Sequence, residues 1–235
     1  MGRRSKHAAI TDIYDLESPE ATEFRRILHN LNESEKGGKK QAVLITSAML
    51  AEGKSLVSSF MAMTAASHKK RKTLIIDFDL RRPTMHKLFG HDRENGVAEI
   101  ILDKLPPRQA VRPTNIDNLD LLTAGKYIAN PSELINTANV HGIIEEMRFY
   151  YDFIVVDSPP LIPVIDALIL LDELDSVFLV VKAGATQRAV VGRARDLLAA
   201  QNGKVVGVVV NNLSHILPYY YNYNYYGYHY KPSRK

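Results

Sequence analysis

The sequence predicts an α/β fold in which a doubly wound, mostly parallel β-sheet carries helices on both faces. Short continuous runs of Val, Ile and Leu alternate along the chain with longer stretches of helical periodicity. Continuous apolar runs are typical of strands buried on both faces of a parallel sheet, and their alternation with helices indicates right-handed crossover connections. Ligands bind beyond the carboxyl ends of the strands in such sheets, so we expect the functional residues there.

Five runs are predicted to be strands, and four stretches between them are predicted to be helices. The strands are 42–46, 73–76, 153–156, 177–181 and 205–210, and the helices are 54–67, 131–150, 166–171 and 188–201. These elements make up one domain over residues 41–217. Residues 1–40 are predicted to form a helical arm and a linker, and residues 218–235 a flexible, tyrosine-rich tail.

The composition of the 235-residue chain narrows the range of functions. Its 46% hydrophobic and 24% charged residues are typical of a globular protein, and the absence of cysteine excludes disulfides, thiolate metal sites and cysteine nucleophiles. Three basic residues at each end leave residues 7–218 with 24 basic and 26 acidic side chains, which is not the positive surface that nucleic acid requires. No run of about 18 apolar residues and no signal-peptide core is visible. We therefore expect a cytoplasmic protein without a nucleic acid partner.

A phosphate-binding loop is predicted directly after the first strand. Residues 47–55 read Ser-Ala-Met-Leu-Ala-Glu-Gly-Lys-Ser and lead into a helical pattern, with Ala48 where the strict motif has Gly. Successive backbone N–H groups and the positive helix end are expected to cradle phosphates, with Lys54 at the β- and γ-phosphate oxygens and Ser55 at Mg²⁺. The residues predicted to bind ATP in this loop are Ala51, Glu52, Gly53, Lys54, Ser55 and Leu56.

Acidic residues follow two of the other predicted strands. Asp77 and Asp79 follow the strand at 73–76, and Asp157 follows the strand at 153–156, as in a Walker B element. Hard oxygen ligands at one sheet edge beside a Gly-Lys-Ser loop suit Mg²⁺ and a triphosphate. We predict that the metal lies near Ser55, Asp79 and Asp157, and that Asp157 holds it through water.

The motifs taken together resemble one known family, the bacterial tyrosine autokinases of capsule and exopolysaccharide export. The resemblance covers roughly residues 18–230. It depends on A-E-G-K-S in the loop, I-D-F-D-L-R-R-P at 76–83, V-V-D-S-P-P at 155–160, T-A-G at 123–125 with N-P-S-E-L at 130–134, and a terminal tyrosine cluster. It implies a P-loop NTPase fold and an ATP- and Mg²⁺-dependent protein-tyrosine kinase that regulates polysaccharide synthesis or export.

The resemblance also implies the acceptor, the catalytic residues and the partners. The expected autophosphorylation sites are Tyr219, Tyr220, Tyr221, Tyr223, Tyr225, Tyr226, Tyr228 and Tyr230. Lys54, Asp77 and Asp79 are the expected catalytic residues, with Asp77 favoured as the base, although spacing alone does not divide the roles of the two aspartates. By analogy with related P-loop folds, Asn211 is expected to contact the nucleotide base.

The expected partners follow from the same family. They are a separate transmembrane activator, or polysaccharide co-polymerase, that recruits the kinase to the inner face of the cell membrane, and a cognate tyrosine phosphatase. Self-association through the N-terminal arm and the tail is also implied.

Two departures from the family pattern have physical consequences. Leu50-Ala51 stand where the family has Pro-Gly, and a positive φ at Ala51 would cost about 1–2 kcal/mol. The family's ring-assembly motif, Glu-x-x-Arg-x-x-Arg, has Thr22, Arg25 and Leu28 at its three positions here.

Two other functions fit part of the sequence. A partitioning or cell-division ATPase of the ParA and MinD type has the same loop context, but it carries a second Lys where this chain has Met49, and it has no use for clustered tyrosines. The tail could alternatively stack on single-stranded nucleic acid, but its three basic residues are too few to follow a phosphate backbone.

Overall fold

A seven-stranded β-sheet forms the centre of the fold. The computed structural model describes residues 10, 14–34, 40–201 and 205–212. The strands are β1 (Gln41–Ser47), β2 (Thr73–Asp77), β3 (Arg112–Pro113), β4 (Leu119–Leu122), β5 (Phe153–Asp157), β6 (Ser176–Lys182) and β7 (Val205–Asn211). Their order across the sheet is β3–β4–β2–β5–β1–β6–β7, and every pair is parallel except β3 with β4. The predicted doubly wound, mostly parallel sheet is confirmed.

Helices cover both faces of this sheet. They are α1 (Pro19–Ser34), α2 (Lys54–Lys69), α3 (Met85–Leu88), α4 (Val97–Leu102), α5 (Pro107–Ala110), α6 (Thr137–Tyr150), α7 (Asp166–Leu171) and α8 (Arg188–Ala200). Within the described ranges, no helix is both long and apolar enough to cross a bilayer.

Two apolar cores result from the alternation of side chains along the strands. Leu44 of β1 and Val156 of β5 belong to the core that α4, α6, α7 and α8 cover, whereas their neighbours Val43 and Val155 belong to the core under α1 and α2. Successive residues of a strand point to opposite faces, so a continuous apolar run supplies both cores. This burial explains why β1, β2, β5 and β6 could be predicted from composition alone.

The predicted helix over 131–150 is wrong at its start. Residues Pro131–Glu133 form a single 3₁₀ turn, and α6 begins only at Thr137. The side chain of Asn136 accepts a hydrogen bond from the Asn139 backbone N–H at 3.0 Å and caps the helix there. Pro131 therefore starts a turn rather than the helix.

Helix α1 is packed against the body of the domain. Phe24 meets the ring of Phe60 on α2 edge to face, with centroids 5.9 Å apart, and the Tyr14 hydroxyl lies 2.6 Å from Thr64 Oγ1. Leu28 is only 1% exposed and is buried in this contact. Of the positions that correspond to the ring motif, Leu28 thus faces the interior of its own chain.

The T-A-G segment after β4 is fixed by the N-terminus of α4. Glu99 accepts hydrogen bonds from the backbone N–H groups of Gly96, at 2.8 Å, and Lys126, at 2.9 Å. A Cβ atom on Gly96 would lie 2.2 Å from the carbonyl oxygen of Thr123, and Gly125 has a φ of +82°. Both glycines are required by this close approach, so the motif has a structural role.

Candidate active site

The phosphate-binding loop lies between β1 and α2, at the carboxyl edge of the sheet. Gly53 has a φ of +90°, and a Cβ atom there would lie 2.1 Å from Asn211 Nδ2. Asn211, at the end of β7, donates from that nitrogen to the Glu52 carbonyl oxygen at 3.0 Å. Ala51 has a φ of 61°, which confirms the positive φ considered from the sequence. The loop therefore has a strained alanine and a position where only glycine fits.

The side chain of Glu52 holds this loop in place. One carboxylate oxygen accepts a hydrogen bond from the Met49 backbone N–H at 2.7 Å, and the other accepts one from the hydroxyl of Thr186. Glu52 is only 4% exposed. The sequence predicted Glu52 as one of the ATP-binding residues of the loop. It gave no indication of the bond to Thr186, because the two residues are more than a hundred positions apart.

Three of the predicted residues form a charge cluster beside the loop. Lys54 Nζ lies 2.8 Å from Asp79 Oδ2 and 3.8 Å from Asp157 Oδ2. The Ser55 hydroxyl donates to Asp157 Oδ2 at 2.7 Å. The Ser58 hydroxyl donates to Asp157 Oδ1 at 3.0 Å, which is a contact that sequence reasoning missed. The ends of β2 and β5 and the first turns of α2 therefore bring one cation, two carboxylates and two hydroxyls together.

Comparison with known proteins decides which P-loop family this arrangement belongs to. A family model described as an AAA domain matches residues 51–199. CapB of Staphylococcus aureus is 36% identical over 223 residues, which is 93% of this chain and 97% of that protein. The tyrosine-protein kinase YwqD of Bacillus subtilis is 34% identical over 205 residues, 87% of this chain and 85% of that one. This chain belongs to the bacterial tyrosine kinases of capsule and exopolysaccharide synthesis.

Solved structures agree with the family. The crystal structure of the chimerical protein CapA2B2 matches with a TM-score of 0.79 at 29% identity, over 86% of this chain and 88% of that one. The septum site-determining protein MinD of Pyrococcus horikoshii matches with a TM-score of 0.65 but only 19% identity, over 76% and 74% of the two chains. The likeness to MinD shows the fold alone. The predicted P-loop NTPase fold and kinase family are confirmed, and the MinD-type alternative is less well supported.

Mutual charge stabilisation sets the protonation states of the cluster in this kinase. Burial alone would lower the pKa of Lys54, but Asp157 and Asp79 outweigh it and raise that pKa above its ordinary value. Burial raises the pKa of Asp157, while Lys54 and the Ser55 hydroxyl act in the opposite direction. Lys54 is therefore a permanent cation at the end of the sheet.

Asp77 lies beside Asp157 in the β2–β5 register and organises the loop that follows β2. It is fully buried, and its carboxylate accepts backbone N–H hydrogen bonds from Asp79, at 3.1 Å, and from Thr84 and Met85, each at 3.0 Å. Burial, followed by the charge of Asp157, raises the pKa of Asp77 to about 8. These contacts hold the loop that positions Asp79.

The donor chemistry of the cluster fits a hydrated Mg²⁺. The Ser55 hydroxyl and an Asp157 oxygen are adjacent hard ligands, and Mg²⁺ in nucleotide sites retains waters and takes few protein ligands. Across the described residues, no three His, Cys, Asp or Glu side chains form a preassembled metal cage. Such a site is completed by phosphate oxygens and water, and Asp79 is paired with Lys54 in this structure.

Arg81 joins two other motifs to the site. Its guanidinium binds the carboxylate of Asp166 on α7, with Nε 2.9 Å from Oδ2, and it donates to the hydroxyl of Ser132 in the N-P-S-E-L segment. Asp166 is fully buried. The N-P-S-E-L turn and the start of α7 are thereby fixed to the loop after β2. The sequence pointed to Ser132 only as part of the N-P-S-E-L motif, and it gave no indication that Asp166 binds Arg81.

The other residues predicted to belong to the site are Leu56 and the eight tyrosines of the tail. Leu56 lies in the first turn of α2, half-buried. The eight tail tyrosines from Tyr219 to Tyr230 lie outside the described residues.

Substitutions at the two positive-φ positions of the loop should have opposite effects. We expect Gly53→Ala to weaken binding of a fluorescent ATP analogue at least tenfold, because the added Cβ displaces Asn211 and strains the loop. Ala51→Gly should stabilise the protein by about 0.5–1 kcal/mol, because it relieves a left-handed alanine at the cost of some chain entropy. Titration and urea unfolding of both variants measure this. Wild-type affinity in Gly53→Ala would contradict the geometry.

The raised pKa of Asp77 should make stability fall as pH rises. Its pKa is about 8 in the fold against an ordinary 3.8, so the fold favours the protonated form, and its contribution is present at low pH and lost towards pH 8. In urea unfolding without nucleotide between pH 5 and 8.5, Asp77→Asn should lose less stability than the wild type. Asp172→Asn, at an exposed carboxylate, is the matched control and should follow the wild-type curve. Parallel curves for Asp77→Asn and wild type would refute the assignment.

Proposed function

We propose that this kinase transfers the γ-phosphoryl group of ATP to tyrosines of its own C-terminal tail and so regulates capsule or exopolysaccharide synthesis. The observation that carries the proposal is the placement of Lys54 between Asp79 and Asp157, beside the Ser55 hydroxyl, at the end of a glycine-containing phosphate loop. The tail supplies eight tyrosines within twelve residues as acceptors. A nucleotide switch without transfer would not need this cluster.

Charge neutralisation is the main contribution of the site to transfer. Lys54 is held as a cation and would exchange its carboxylate partners for the β- and γ-phosphate oxygens, which stabilises the charge that develops during transfer. Ser55 and Asp157 would hold Mg²⁺, with Asp79 nearby, and the metal would neutralise phosphate charge. Backbone N–H groups of residues 51–56 and the amide of Asn211 complete the proposed ATP site.

The acceptor tyrosine needs a base, and two aspartates are candidates. Asp77 has a pKa of about 8, closer than an ordinary carboxylate to the value of about 10 of a phenol, which favours proton transfer to it. Its oxygens are engaged by three backbone N–H groups, so a phenol reaches it only if the loop from Phe78 to Thr84 opens. Asp79 is more accessible but is paired with Lys54. We retain Asp77 as the proposed base, with Asp79 as the alternative.

A separate membrane activator is proposed on the basis of the exposed loop. Met49 and Leu50 are 40% and 47% exposed beside the strained Ala51, so a partner that covers them would order the loop and exclude water. EpsB of Ralstonia nicotianae aligns with 81% of this chain, but the alignment spans only 26% of EpsB, so the kinase unit there is part of a longer protein. Recruitment to the inner membrane face would follow from that partner.

Self-association of the chain and removal of phosphate from its tail complete the proposed phosphorylation cycle. Self-association through the N-terminal arm and the tail would bring the tail of one copy to the site of another. With Leu28 buried in its own chain, the exposed side of α1 would have to provide the arm's contact. A tyrosine phosphatase would return the tail to its unphosphorylated form. Adding such a phosphatase to the labelled chain should therefore remove the label.

Phosphoryl transfer to the tail is tested with labelled ATP and Mg²⁺, read by intact-mass spectrometry. We expect label on the full chain and none on a chain that ends at Pro218. Lys54→Met should remain folded but melt at a lower temperature, because Asp79 and Asp157 lose their counter-charge, and it should lose transfer. Asp77→Asn should reduce transfer about 10²-fold, as for a lost base. If Asp79→Asn alone has that effect, the base is Asp79. ATP hydrolysis without label on any tyrosine would leave only a nucleotide switch.

Activation by a partner should be visible in the same assay. We expect the purified chain to transfer slowly and to accelerate at least tenfold with the cytoplasmic segment of a membrane protein from the same polysaccharide locus. Leu50→Ser should reduce that acceleration, because it removes exposed apolar surface, while leaving basal transfer within twofold. Light scattering with and without ATP reports the accompanying change in assembly. Full activity of the chain alone, unaffected by such segments, would argue against the activator.

A further inference from the structure

A small cavity lies at the amino-terminal edge of the sheet, opposite the phosphate loop. Its volume is about 210 Å³, and its wall includes Lys72, Arg108, Asp120, Met147, Tyr150 and Tyr151. Lys72 directly precedes β2, whose far end is Asp77, and a five-residue strand is roughly 16 Å long. The cavity is therefore separate from the proposed nucleotide site, and the proposed function does not use it.

Two cations of the cavity are held by aromatic rings rather than by carboxylates. Lys72 Nζ lies 5.4 Å from the ring centroid of Tyr151, and the Arg108 guanidinium lies 4.6 Å from that of Tyr150. Among the described residues, neither side chain has a carboxylate within ion-pair distance. A cation over a ring face keeps its N–H donors for a ligand. Both residues are exposed, so an anion can reach them.

The inner wall of the cavity is apolar and aromatic, with its one acid already engaged. Tyr151 donates from its hydroxyl to Asp120 Oδ2 at 2.7 Å. Burial, and then this hydrogen bond, raises the pKa of Tyr151 far above its ordinary value, so the phenol stays neutral. The Asp120 carboxylate would repel an anion placed beside it, which directs negative charge towards Lys72 and Arg108.

These features select a small ligand that is both aromatic and anionic. A cavity of about 210 Å³ is below the roughly 300–1,000 Å³ typical of sites for drug-sized ligands, so a nucleotide is too large. An inorganic anion would use the two cations but leave the surfaces of Met147 and Tyr150 uncovered. An aryl phosphate fits the cations and the apolar wall together. Its dianion can bind two cations in charge-assisted hydrogen bonds while its ring packs on the apolar wall.

We propose that this cavity binds phosphotyrosine of the modified tail, residues 219–230. The proposal depends on the proposed function, because autophosphorylation is what would generate the ligand. β7 ends at Asn211, and the tyrosines begin at Tyr219, so the chain between Asn211 and Tyr230 can extend for up to about 60 Å. That reach extends to the opposite edge of the sheet on the same or a neighbouring copy. Residues 219–230 contain no Lys, Arg, Asp or Glu, and each modification adds about −1.5 to −2 charges to them, so modification gives the tail the negative charge that the two cations attract.

A synthetic peptide separates this proposal from the kinase assay. A fluorescent peptide of residues 219–230 carrying one phosphotyrosine is titrated against the full, unmodified chain without ATP, and the unphosphorylated peptide is the reference. We expect the phosphopeptide to bind at least tenfold more tightly than the reference. Lys72→Gln and Arg108→Gln should each weaken it about fivefold or more, as expected for one lost charge-assisted hydrogen bond. Unchanged melting temperatures establish that both variants fold.

Lys69→Gln is the matched control, because it removes a nearby exposed charge that does not line the cavity. Its affinity for the phosphopeptide should stay within twofold of wild type. Equal weakening by Lys69→Gln would overturn the proposal in favour of diffuse attraction. If vesicles containing phosphatidylglycerol displace the phosphopeptide, and all three variants lose affinity for the vesicles equally, this edge is instead a membrane-binding surface. Displacement by ATP with Mg²⁺ would place the peptide at the nucleotide site. Since the peptide is phosphorylated by synthesis, failure to bind leaves the result of the kinase assay untouched.

Discussion

The arrangement of this active site depends on one partly buried cation that is balanced by two buried carboxylates. Lys54 starts α2, Asp79 follows β2 and Asp157 ends β5, and the three charges meet only because these elements end at one edge of the sheet. Removing one partner of such a buried group leaves a charge uncompensated, at a cost of about 3–5 kcal/mol. The same balance leaves Lys54 charged and ready for an incoming anion. Stability and phosphate affinity therefore share one set of contacts.

The surroundings of the cluster act mainly by restricting its motion. Asp77 fixes the turn after β2 through three backbone hydrogen bonds, and Arg81 ties that turn to Asp166 at the start of α7. On the other side, Glu52 and Asn211 hold the phosphate loop by its backbone. Preorganised donors require little rearrangement when charge develops during transfer. Strain at Ala51 is tolerated because these neighbours leave the loop few alternatives.

The sequence predicted the parts of the fold whose signal is local. β1, β2, β5 and β6 are buried apolar runs, and β7 is a valine-rich strand at the sheet edge. Lys54, Asp77, Asp79 and Asp157 lie at or shortly after the ends of β1, β2 and β5, so spacing alone located them at one edge. β4 was missed because it has only four residues and is interrupted by Asp120, and β3 because it has two residues, one of them Pro113 on the sheet edge. The start of α6 was misplaced because proline is favoured both in the first turn of a helix and in isolated turns, so Pro131 alone does not distinguish the two. Glu52 with Thr186 and Arg81 with Asp166 could not be predicted, since each pair is joined only by the topology of the folded chain.

A parallel sheet gathers residues at both of its edges, and this chain uses the two edges differently. Residues that follow the strands supply the acids and the phosphate loop, whereas residues that precede them, such as Lys72 before β2 and Tyr151 before β5, supply cations and aromatic rings. A ligand at the amino edge therefore does not compete with nucleotide for space. Any influence of one edge on the other would have to pass along β2 and β5, because those strands carry Asp77 and Asp157 at their far ends. Rigid, fully buried strands transmit displacement poorly unless the loop at one end has two arrangements. In this structure the turn from Phe78 to Thr84 is the element best placed for that, because Asp77 holds it from inside the core and Lys54 holds it from the site.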